Sequence, residues 1–406
     1  KYSITSYLLI MVTLASQTKI LHFKHVKKII TIVGARPQII KSSAISRAIS
    51  NHFSSELEEI IVHTGQHYDE NMSDVFFNEM KIPRPKYNLN VGSGGHGAQT
   101  AKMLEGLEEI FQNENPRAVL VYGDTNSTIA GALAAAKLHI PVIHVEAGLR
   151  SFNKKMPEEV NRIACDHMST LLFTPTKTGI DNLANEGFSI GEKETANPDH
   201  PVVFHCGDIM YDNSLHFSNV SGGKSSLLEE LNIKKNNFIL CTIHRDSNTD
   251  IADNLNSIFR ALMKIQIESG LKIILPLHPR TKKKMAELLT PEVKSELEAN
   301  TNIKIIDPAG FFDIIALEKN SKMMVTDSGG LQKEAFFFQK PCIILRPQTE
   351  WIEIVENGNA ILADCDEERI IAAYGKLSQK SDFSYPSLYG DGKAAEFICE
   401  QINRLL

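Results

Sequence analysis

The segment 122–162 constrains the fold of this chain more than any other part of the sequence. Two apolar runs, 118–122 and 140–145, each end in turn residues and an acid, Asp124 after the first run and Glu146 after the second. Short apolar runs bounded by turns are typical of buried parallel strands, and the alanine-rich stretch between them is typical of a crossover helix. Open α/β sheets bind ligands at the carboxyl ends of their strands, so Asp124 and Glu146 are predicted to line a ligand crevice.

Two further acids follow in the same segment. Glu158 and Glu159 lie on a helix that Pro157 is expected to start, because proline suits the first helical position. Several acids that converge on one crevice form a catalytic pattern. The alternative interpretation is structural: the same acids would cap helices or pair with Arg150 and Arg162. This segment alone does not separate the two interpretations.

Length and composition place the chain among ordinary globular proteins. Its 406 residues are enough for two or three domains, and a formal net charge of −6 gives no sign of a nucleic-acid-binding surface. The six cysteines include no Cys-x-x-Cys pair and the 14 histidines no His-Glu-x-x-His, so we expect no metal site. Scattered, reduced cysteines are typical of a cytoplasmic protein, which is the location that we expect.

Residues 1–26 differ in composition from the rest of the chain. Their apolar run, 7–15, is far shorter than the roughly 20 residues that a membrane span needs, so we expect no membrane association. We interpret residues 1–26 as an N-terminal extension. A secretory signal is the alternative, although Lys1 alone is a weak basic start.

From residue 27 onward, strand and helix signals alternate along the chain. This alternation predicts an α/β fold of two successive doubly wound, Rossmann-like domains, with a ligand held in the cleft between them. The first domain is predicted to cover 27–203 and the second 204–384. The glycine-rich stretch 91–97 is predicted to be a loop.

One strand end of the second domain is suited to phosphate. The tripeptide 328–330, Ser-Gly-Gly, lies between a predicted strand and a predicted helix, where backbone N–H groups and about half a positive charge attract anions. Glu334, one turn into the helix, has the geometry to accept hydrogen bonds from ribose hydroxyl groups. The alternative is that the glycines only form a tight turn.

Basic groups from other strand ends have the chemistry to complete such a site. Arg36 and Lys41 follow the first predicted strand and would hold a diphosphate from the opposite wall. His244, after the strand 238–242, is a candidate for anion binding or acid–base chemistry. The alternatives are a solvated surface role for the two cations and a structural role for the histidine.

Several nucleotide and hydrolase motifs are missing from the sequence. It contains no Gly-x-Gly-x-x-Gly and no Gly-x-x-x-x-Gly-Lys-Ser/Thr, which argues against a bound dinucleotide and against a P-loop ATPase. It also lacks the Gly-x-Ser-x-Gly of serine hydrolases. The residues therefore predict a two-domain nucleotide-binding enzyme with a carboxylate-rich crevice.

Seven ordered motifs lie at predicted strand ends. They are Gly34-Ala35-Arg36-Pro37 with Lys41, Thr64-Gly65-Gln66-His67, Gly123-Asp124-Thr125, His144 to Arg150, Pro157 to Arg162, His244-Arg245, and Thr326 to Gly330 with Glu334. Together they resemble the motifs of the non-hydrolysing UDP-N-acetylglucosamine 2-epimerases over essentially all of 27–406.

The resemblance implies both an architecture and an activity. The family has the GT-B arrangement of two Rossmann-like domains, in which the C-terminal helix, here within 385–406, returns to the first domain. Its members interconvert UDP-N-acetylglucosamine and UDP-N-acetylmannosamine, a precursor for surface polysaccharides, without metal or nicotinamide cofactors. They eliminate UDP in the anti sense across C1–C2, form 2-acetamidoglucal and add UDP back. Many act as homodimers, and bacterial members are often activated by their own substrate.

The resemblance also implies roles for individual residues. Asp124, Glu146 and Glu158 would form the proton relay, with base and acid unassigned among them, and His244 would assist departure of the diphosphate. The implied UDP contacts are Arg36, Lys41, Ser328, Gly329, Gly330 and, on the ribose, Glu334. The implied uracil contacts are Phe311 and Phe312, and the implied allosteric residues are Gln66, His67 and Arg245.

Two segments depart from the family pattern. Asp246-Ser247-Asn248 replaces the usual Arg/Glu-Glu-Asn, and the stretch 66–72 also differs from the shorter bacterial form. The UDP-sugar substrate is therefore UDP-N-acetylglucosamine or a derivative of it, for example a uronic acid. A GT-B glycosyltransferase and a non-catalytic sugar-nucleotide sensor are the alternatives from other functional classes.

Overall fold

The computed structural model describes residues 26–65, 77, 80, 82–191, 193–220 and 225–406. Gln66, His67 and most of the stretch 75–80, which the sequence predicts to be helical, lie outside the described residues. The described chain forms two sheets, of seven and six strands, and all strand pairs within each sheet are parallel. The predicted α/β class is confirmed.

The first sheet consists of β1 Lys27–Val33, β2 Leu57–His63, β3 Tyr87–Asn88, β4 Ala118–Tyr122, β5 Val142–Val145, β6 Leu171–Thr174 and β7 Val202–His205. Its order is β3-β2-β1-β4-β5-β6-β7, so the winding direction reverses between β1 and β4. Nearly all side chains of β1 and β4 are buried, as expected for strands covered on both faces. The predicted domain division at 203–204 falls within β7, and the domain limits stay a prediction.

The second sheet consists of β8 Phe238–Thr242, β9 Lys272–Pro276, β10 Ile303–Ile306, β11 Met323–Thr326, β12 Cys342–Ile344 and β13 Ala360–Leu362. Its order is β10-β9-β8-β11-β12-β13, so it reverses between β8 and β11. Each sheet is thus doubly wound, and each has one reversal point near its middle.

Helices cover both faces of the sheets. Those that follow strands of the first sheet are Arg36–Ala48, continued by a π-helical turn Ile49–Phe53, then His96–Glu114, Asn126–Lys137, Pro157–Met168, Lys177–Asn185 and Ile209–Val220. Those of the second half are Leu227–Glu230, Asp246–Thr249, Ala252–Ser269, Pro279–Leu288, Pro291–Ala299, Phe311–Asn320, Gly329–Phe337, Ile352–Glu356, Glu367–Gln379 and Ala394–Leu405.

The end of β4 is fixed by its own side chains and by close packing. Thr125 caps the helix Asn126–Lys137 by accepting a hydrogen bond from the backbone N–H of Thr128 at 3.4 Å. A Cβ atom added at Gly131 would lie only 3.0 Å from Val121, so the absence of a side chain lets this helix approach the sheet closely. The crossover helix therefore holds the loop after β4 in one position.

The last helix, Ala394–Leu405, packs against the first sheet unit. Ile398 and Ile402 are at most 1% exposed and share an apolar core with β1. The Asp212 carboxylate accepts the backbone N–H groups of Ala394 and Ala395, at 3.2 and 2.8 Å, and so satisfies the start of this helix. The end of the chain therefore completes the core of its beginning.

The two sheets meet a common cleft at their reversal points. The loops after β1, β4 and β5 line it from the first sheet, and the loops after β8 and β11 line it from the second. Open α/β sheets bind ligands at the carboxyl ends of strands where the winding reverses. The fold thus brings the reversal points of both sheets to the same cleft.

Candidate active site

The cleft between the two units has a volume of about 610 Å³. Most residues that the sequence singled out line it, namely Arg36, Lys41, Asp124, Glu146, His244, Arg245, Phe311, Ser328, Gly329, Gly330 and Glu334. Glu158 and Phe312 do not line it. The structure therefore brings acids, cations and a helix N-terminus from both units to one place.

Asp124 follows Gly123, whose backbone is left-handed with φ of 62°. Its Oδ2 atom accepts a hydrogen bond from Nη1 of Arg162 at 2.5 Å, and its side chain remains 31% exposed. Burial raises the pKa of Asp124, and the positive charges of Arg162 and Lys41 offset only part of that rise. A carboxyl group with a raised pKa is suited to hold and donate a proton.

Glu146 follows β5 with φ of 71°, a conformation that is uncommon for a residue with a side chain. Its Oε2 atom contacts Nζ of Lys41, and its Oε1 atom lies 3.4 Å from Nζ of Lys333. Burial acts to raise the pKa of Glu146, but the charges of Lys41 and Lys333 outweigh it and lower the pKa to about 2. Asp124 and Glu146 are thus neighbouring carboxyl groups with opposite pKa shifts, the pattern that separates an acid from a base.

A buried ion pair supports these strand ends. Nδ1 of His144 lies 2.6 Å from Oδ1 of Asp166, and Nε2 lies 2.8 Å from the carbonyl oxygen of Gly123. Burial acts to lower the pKa of His144, but Cys165 and Asp166 outweigh it and raise the pKa well above its ordinary value. Asp166 also pairs with Arg150 at 2.7 Å. Arg150 thus pairs with Asp166 and Glu186 rather than with one of the four acids that the structural interpretation assigned to it, whereas Arg162 does pair with two of those four, Asp124 and Glu159.

The helix Pro157–Met168 places its two first acids in different surroundings. Glu159 is buried, accepts the backbone N–H groups of Ser151 and Phe152, both at 2.9 Å, and pairs with Arg162 at 3.0 Å. Glu158 is exposed, although its charge still contributes to the raised pKa of Asp124. The proposed relay role of Glu158 therefore rests on its nearness to Asp124.

His244 is oriented by Asp327, at the end of the neighbouring strand. Nδ1 of His244 lies 2.8 Å from Oδ1 of Asp327, and Oδ2 accepts the backbone N–H groups of His244 and Arg245, both at 2.9 Å. Burial acts to raise the pKa of Asp327, but these interactions lower it. Asn248, from the segment that departs from the family pattern, also donates to Asp327 at 3.1 Å. The imidazole is thus fixed, yet 53% exposed.

The helix Gly329–Phe337 begins at the cleft. Ser328 caps it by accepting the backbone N–H of Leu331 at 3.4 Å. A Cβ atom added at Gly329 would come no closer than 3.7 Å to any atom outside its chain neighbours, so the fold leaves room there. The first N–H groups of a helix have no partner within the helix, and those of Gly329 and Gly330, which line the cleft, lie ahead of the one that Ser328 caps. They are therefore available to an anion.

Two carboxyl groups lie further along the same wall. They belong to Glu334 and to Glu318 of the helix Phe311–Asn320, and both residues line the cleft. Neither carboxyl oxygen of Glu318 has a hydrogen-bond partner among the described residues. Burial raises the pKa of both groups, and the charge of Glu334 raises that of Glu318 further. Since two nearby carboxylates repel each other, the Glu318 carboxyl group is expected to hold a proton.

One end of the cleft is apolar. Phe311 lines it together with Pro276, Ala309 and Ile314. The rings of Phe311 and Phe312 both pack edge-on against Phe217, with centroids 5.0 and 6.1 Å away, but Phe312 does not line the cleft. Of the two predicted uracil contacts, only Phe311 faces the cleft.

Sequence reasoning gave no role to several residues that shape this site. Glu318, Asp327 and Lys333 come from the second unit, and Asp208 comes from the segment after β7. Asp327 lies inside a recognised motif, and Lys333 directly precedes Glu334, so both positions carried a local signal. Asp208 and Glu318 carried none, because only the tertiary structure brings them to the site.

These features define a GT-B-like α/β protein with a carboxylate-rich cleft that has a helix N-terminus on one wall. The family model described as UDP-N-acetylglucosamine 2-epimerase matches residues 49–403. The chain belongs to that family, as its motifs indicate.

Individual relatives agree with this assignment. The chain is 48% identical over 379 residues to a UDP-N-acetylglucosamine 2-epimerase homolog of Methanococcus maripaludis. The aligned region covers 93% of this chain and 100% of the relative. It is 45% identical over 378 residues to the UDP-2,3-diacetamido-2,3-dideoxy-D-glucuronate 2-epimerase of Pseudomonas aeruginosa, with the same coverage of 93% and 100%. The crystal structure of Methanocaldococcus jannaschii UDP-GlcNAc 2-epimerase in complex with UDP-GlcNAc and UDP matches with a TM-score of 0.79 and 40% identity, covering 92% of this chain and 99% of that chain.

Within the residues that the structure describes, no helix is both long and apolar enough to span a membrane.

Proposed function

We propose that this protein epimerises UDP-N-acetylglucosamine to UDP-N-acetylmannosamine at C2, without hydrolysis, by anti elimination and re-addition of UDP. The observation that carries the proposal is the pair Asp124 and Glu146. They lie at the ends of adjacent strands, line one cleft and have pKa values shifted in opposite directions. Epimerisation by elimination needs such an acid and base at one carbon.

The proposed reaction has two steps, the elimination of UDP and its re-addition. A carboxylate takes the proton from C2, the C–H electron pair forms the C1–C2 double bond, and the C1–O bond breaks with its electrons on the departing UDP. The reverse half adds the UDP oxygen to C1 and delivers a proton to the other face of C2. The ionised Glu146 is the proposed proton acceptor, Asp124 is the proposed donor, and Glu158 is proposed to exchange protons with Asp124.

The second unit is proposed to hold the leaving group. The N-terminus of the helix Gly329–Phe337 offers backbone N–H groups and a partial positive charge to the diphosphate. Arg36 and Lys41 face it from the first unit, and His244 supplies a donor for the departing oxygen. Preorganised donors of this kind stabilise charge that develops in the transition state.

A second candidate substrate is a 2,3-diacetamido uronate linked to UDP. The observation that favours it is the 45% identity to the Pseudomonas aeruginosa enzyme named for that sugar, over the whole of that protein. Arg245 also lines the cleft besides the cations assigned to the diphosphate, so the cleft has a positive charge to offer to the carboxylate of a uronate. Both candidates share the C2 chemistry. Homodimer formation, a cytoplasmic location and supply of a surface-polysaccharide precursor complete the proposal.

The test is epimerisation in D₂O. The protein is incubated separately with UDP-N-acetylglucosamine and with the 2,3-diacetamido uronate, and the recovered UDP-sugars are analysed by mass spectrometry and proton NMR. We expect an epimer of one of them that carries deuterium at C2, because the incoming proton exchanges with solvent. An epimer without deuterium at C2 would rule out the elimination route. If neither sugar were epimerised, the proposed function would be wrong.

A further inference from the structure

Lys333 occupies an unusual position for a cation in this cleft. Its side chain is only 4% exposed, and its Nζ atom contacts Oδ2 of Asp208 and lies 3.4 Å from Oε1 of Glu146. The same Nζ lies 4.1 Å from the ring centroid of Trp351, over its face. Lys333 thus has one aromatic and two carboxylate partners, and its side chain is almost completely shielded from solvent.

These contacts cross the cleft. Lys333 belongs to the helix Gly329–Phe337 of the second unit, whereas Glu146 follows β5 of the first sheet and Asp208 follows β7. Burial acts to lower the pKa of Lys333, but the charges of Asp208 and Glu146 outweigh it and raise the pKa. The ammonium group therefore stays charged at neutral pH.

We propose that Lys333 is a positioning residue for Glu146, which keeps a cation beside that carboxylate from the opposite wall throughout the reaction. This inference rests on the proposed function. Glu146 has two ammonium neighbours, Lys41 and Lys333. When the substrate diphosphate draws Lys41 away, Lys333 is the cation that remains, because its own helix and its burial against the ring of Trp351 keep it beside Glu146.

The charged surroundings of Glu146 agree with this role. The groups that face it are Lys41 from the helix Arg36–Ala48, Lys333 from the second unit, Asp124 from the neighbouring strand end and the Cys206 thiol after β7. Burial raises the pKa of Cys206 well above its ordinary value, so the thiol adds no charge. Without Lys333, only Lys41 would oppose the burial of the Glu146 carboxylate, which would then hold its proton to higher pH.

Four variants separate this electrostatic role from simple packing. Lys333→Met removes the cation but leaves Asp208 buried and unpaired, which can prevent folding. The double variant Lys333→Met with Asp208→Asn removes both charges and avoids that problem. Asp208→Asn alone breaks the same cross-cleft ion pair but leaves the ammonium beside Glu146. Lys333→Arg keeps the charge.

The measurement is the pH profile of kcat/KM for epimerisation, with circular dichroism as the check of folding. An opposite charge within about 4–6 Å lowers a carboxyl pKa by about 1–3 units, so the double variant should move the acidic limb of the profile upward by about that amount. Lys333→Met should do the same if it folds. Asp208→Asn and Lys333→Arg should keep the wild-type acidic limb.

Two results would overturn the inference while the proposed function stands. One is a wild-type acidic limb in the double variant, which would show that Lys333 does not act on Glu146. The other is an equal shift in Asp208→Asn, which would show that the ion pair between the units, and not the charge beside Glu146, is what matters. Lack of epimerisation by the wild type would instead overturn the proposed function and this inference with it.

Discussion

Nδ1 of His244 lies 2.8 Å from Oδ1 of Asp327, and the carboxylate that fixes the ring also accepts two backbone N–H groups of the same loop. His244 is therefore presented to the cleft by the second sheet as a rigid group. We expect His244→Ala to lower turnover by about 10²–10³-fold, the usual cost of one donor to a developing charge. Folding should be unaffected because the ring is half-exposed. His52→Ala, at an exposed histidine paired with Glu396, is the control. Equal turnover of the two variants would remove His244 from the mechanism.

The three acids can be tested by nearly isosteric changes. Asp124→Asn, Glu146→Gln and Glu158→Gln should each lower turnover by about 10²–10⁴-fold, because each amide removes a group that transfers protons. The readout is the initial rate of epimer formation, with deuterium at C2 as a second measure. Asp181→Asn is the control, since that acid is exposed and pairs with Lys177 on its own helix. If all three variants turned over normally, the proposed relay would be wrong.

The helix N-terminus at Gly329 is open to a precise substitution. Gly329→Ala should fold normally, because the new Cβ would come no closer than 3.7 Å to another group. The new methyl group should hold the diphosphate away from the backbone N–H groups and so weaken UDP binding by about tenfold or more, since a hydrogen bond to a charged group contributes about 1.5–3 kcal/mol. Calorimetric titration with UDP measures this, with Gly375→Ala, in open space on a distant helix, as the control. Unchanged UDP affinity would place the diphosphate elsewhere.

Glu318 should make stability depend on pH. Burial, and then Glu334, raises the pKa of Glu318 well above its ordinary 4.5. Above the ordinary value the unfolded chain releases this proton while the folded chain retains it, so the free energy of unfolding falls as pH rises toward the raised pKa. Glu318→Gln removes that loss. The Tm of the variant minus that of the wild type should therefore be larger at about pH 8 than at about pH 5. Glu296→Gln, at an exposed site, should show no such gain. An equal Tm difference at both pH values would contradict the raised pKa of Glu318.

The sequence was sufficient to place Asp124 beside Glu146. Their strands are short, mostly apolar and bounded by turns, and such local signals suffice to predict parallel neighbours; β4 and β5 do pair, with Val121 opposite His144. Helix limits were predicted less well. The sequence predicts the first helix over roughly 38–50, whereas the helix begins at Arg36, because proline at residue 37 is compatible with a first turn.

Contacts between distant parts of the chain could not be predicted. Lys333 and Asp208 are 125 residues apart, and nothing in their local sequence announces their meeting. Glu158 and Glu159 show a different limit. The sequence predicts that both lie on the first turn of a helix, but the rotation of that helix decides which one is buried against Arg162, and packing sets that rotation.

The return of the helix Ala394–Leu405 to the first unit has a consequence for biosynthesis. Domains ordinarily fold as they leave the ribosome, N-terminal part first. Here the core around β1 includes Ile398 and Ile402, which are made only after the entire second unit. One apolar face of the first sheet therefore stays incompletely covered until the second unit has been made. A chain that stops before Ala394 would leave the core of its first unit, rather than that of its second, incomplete.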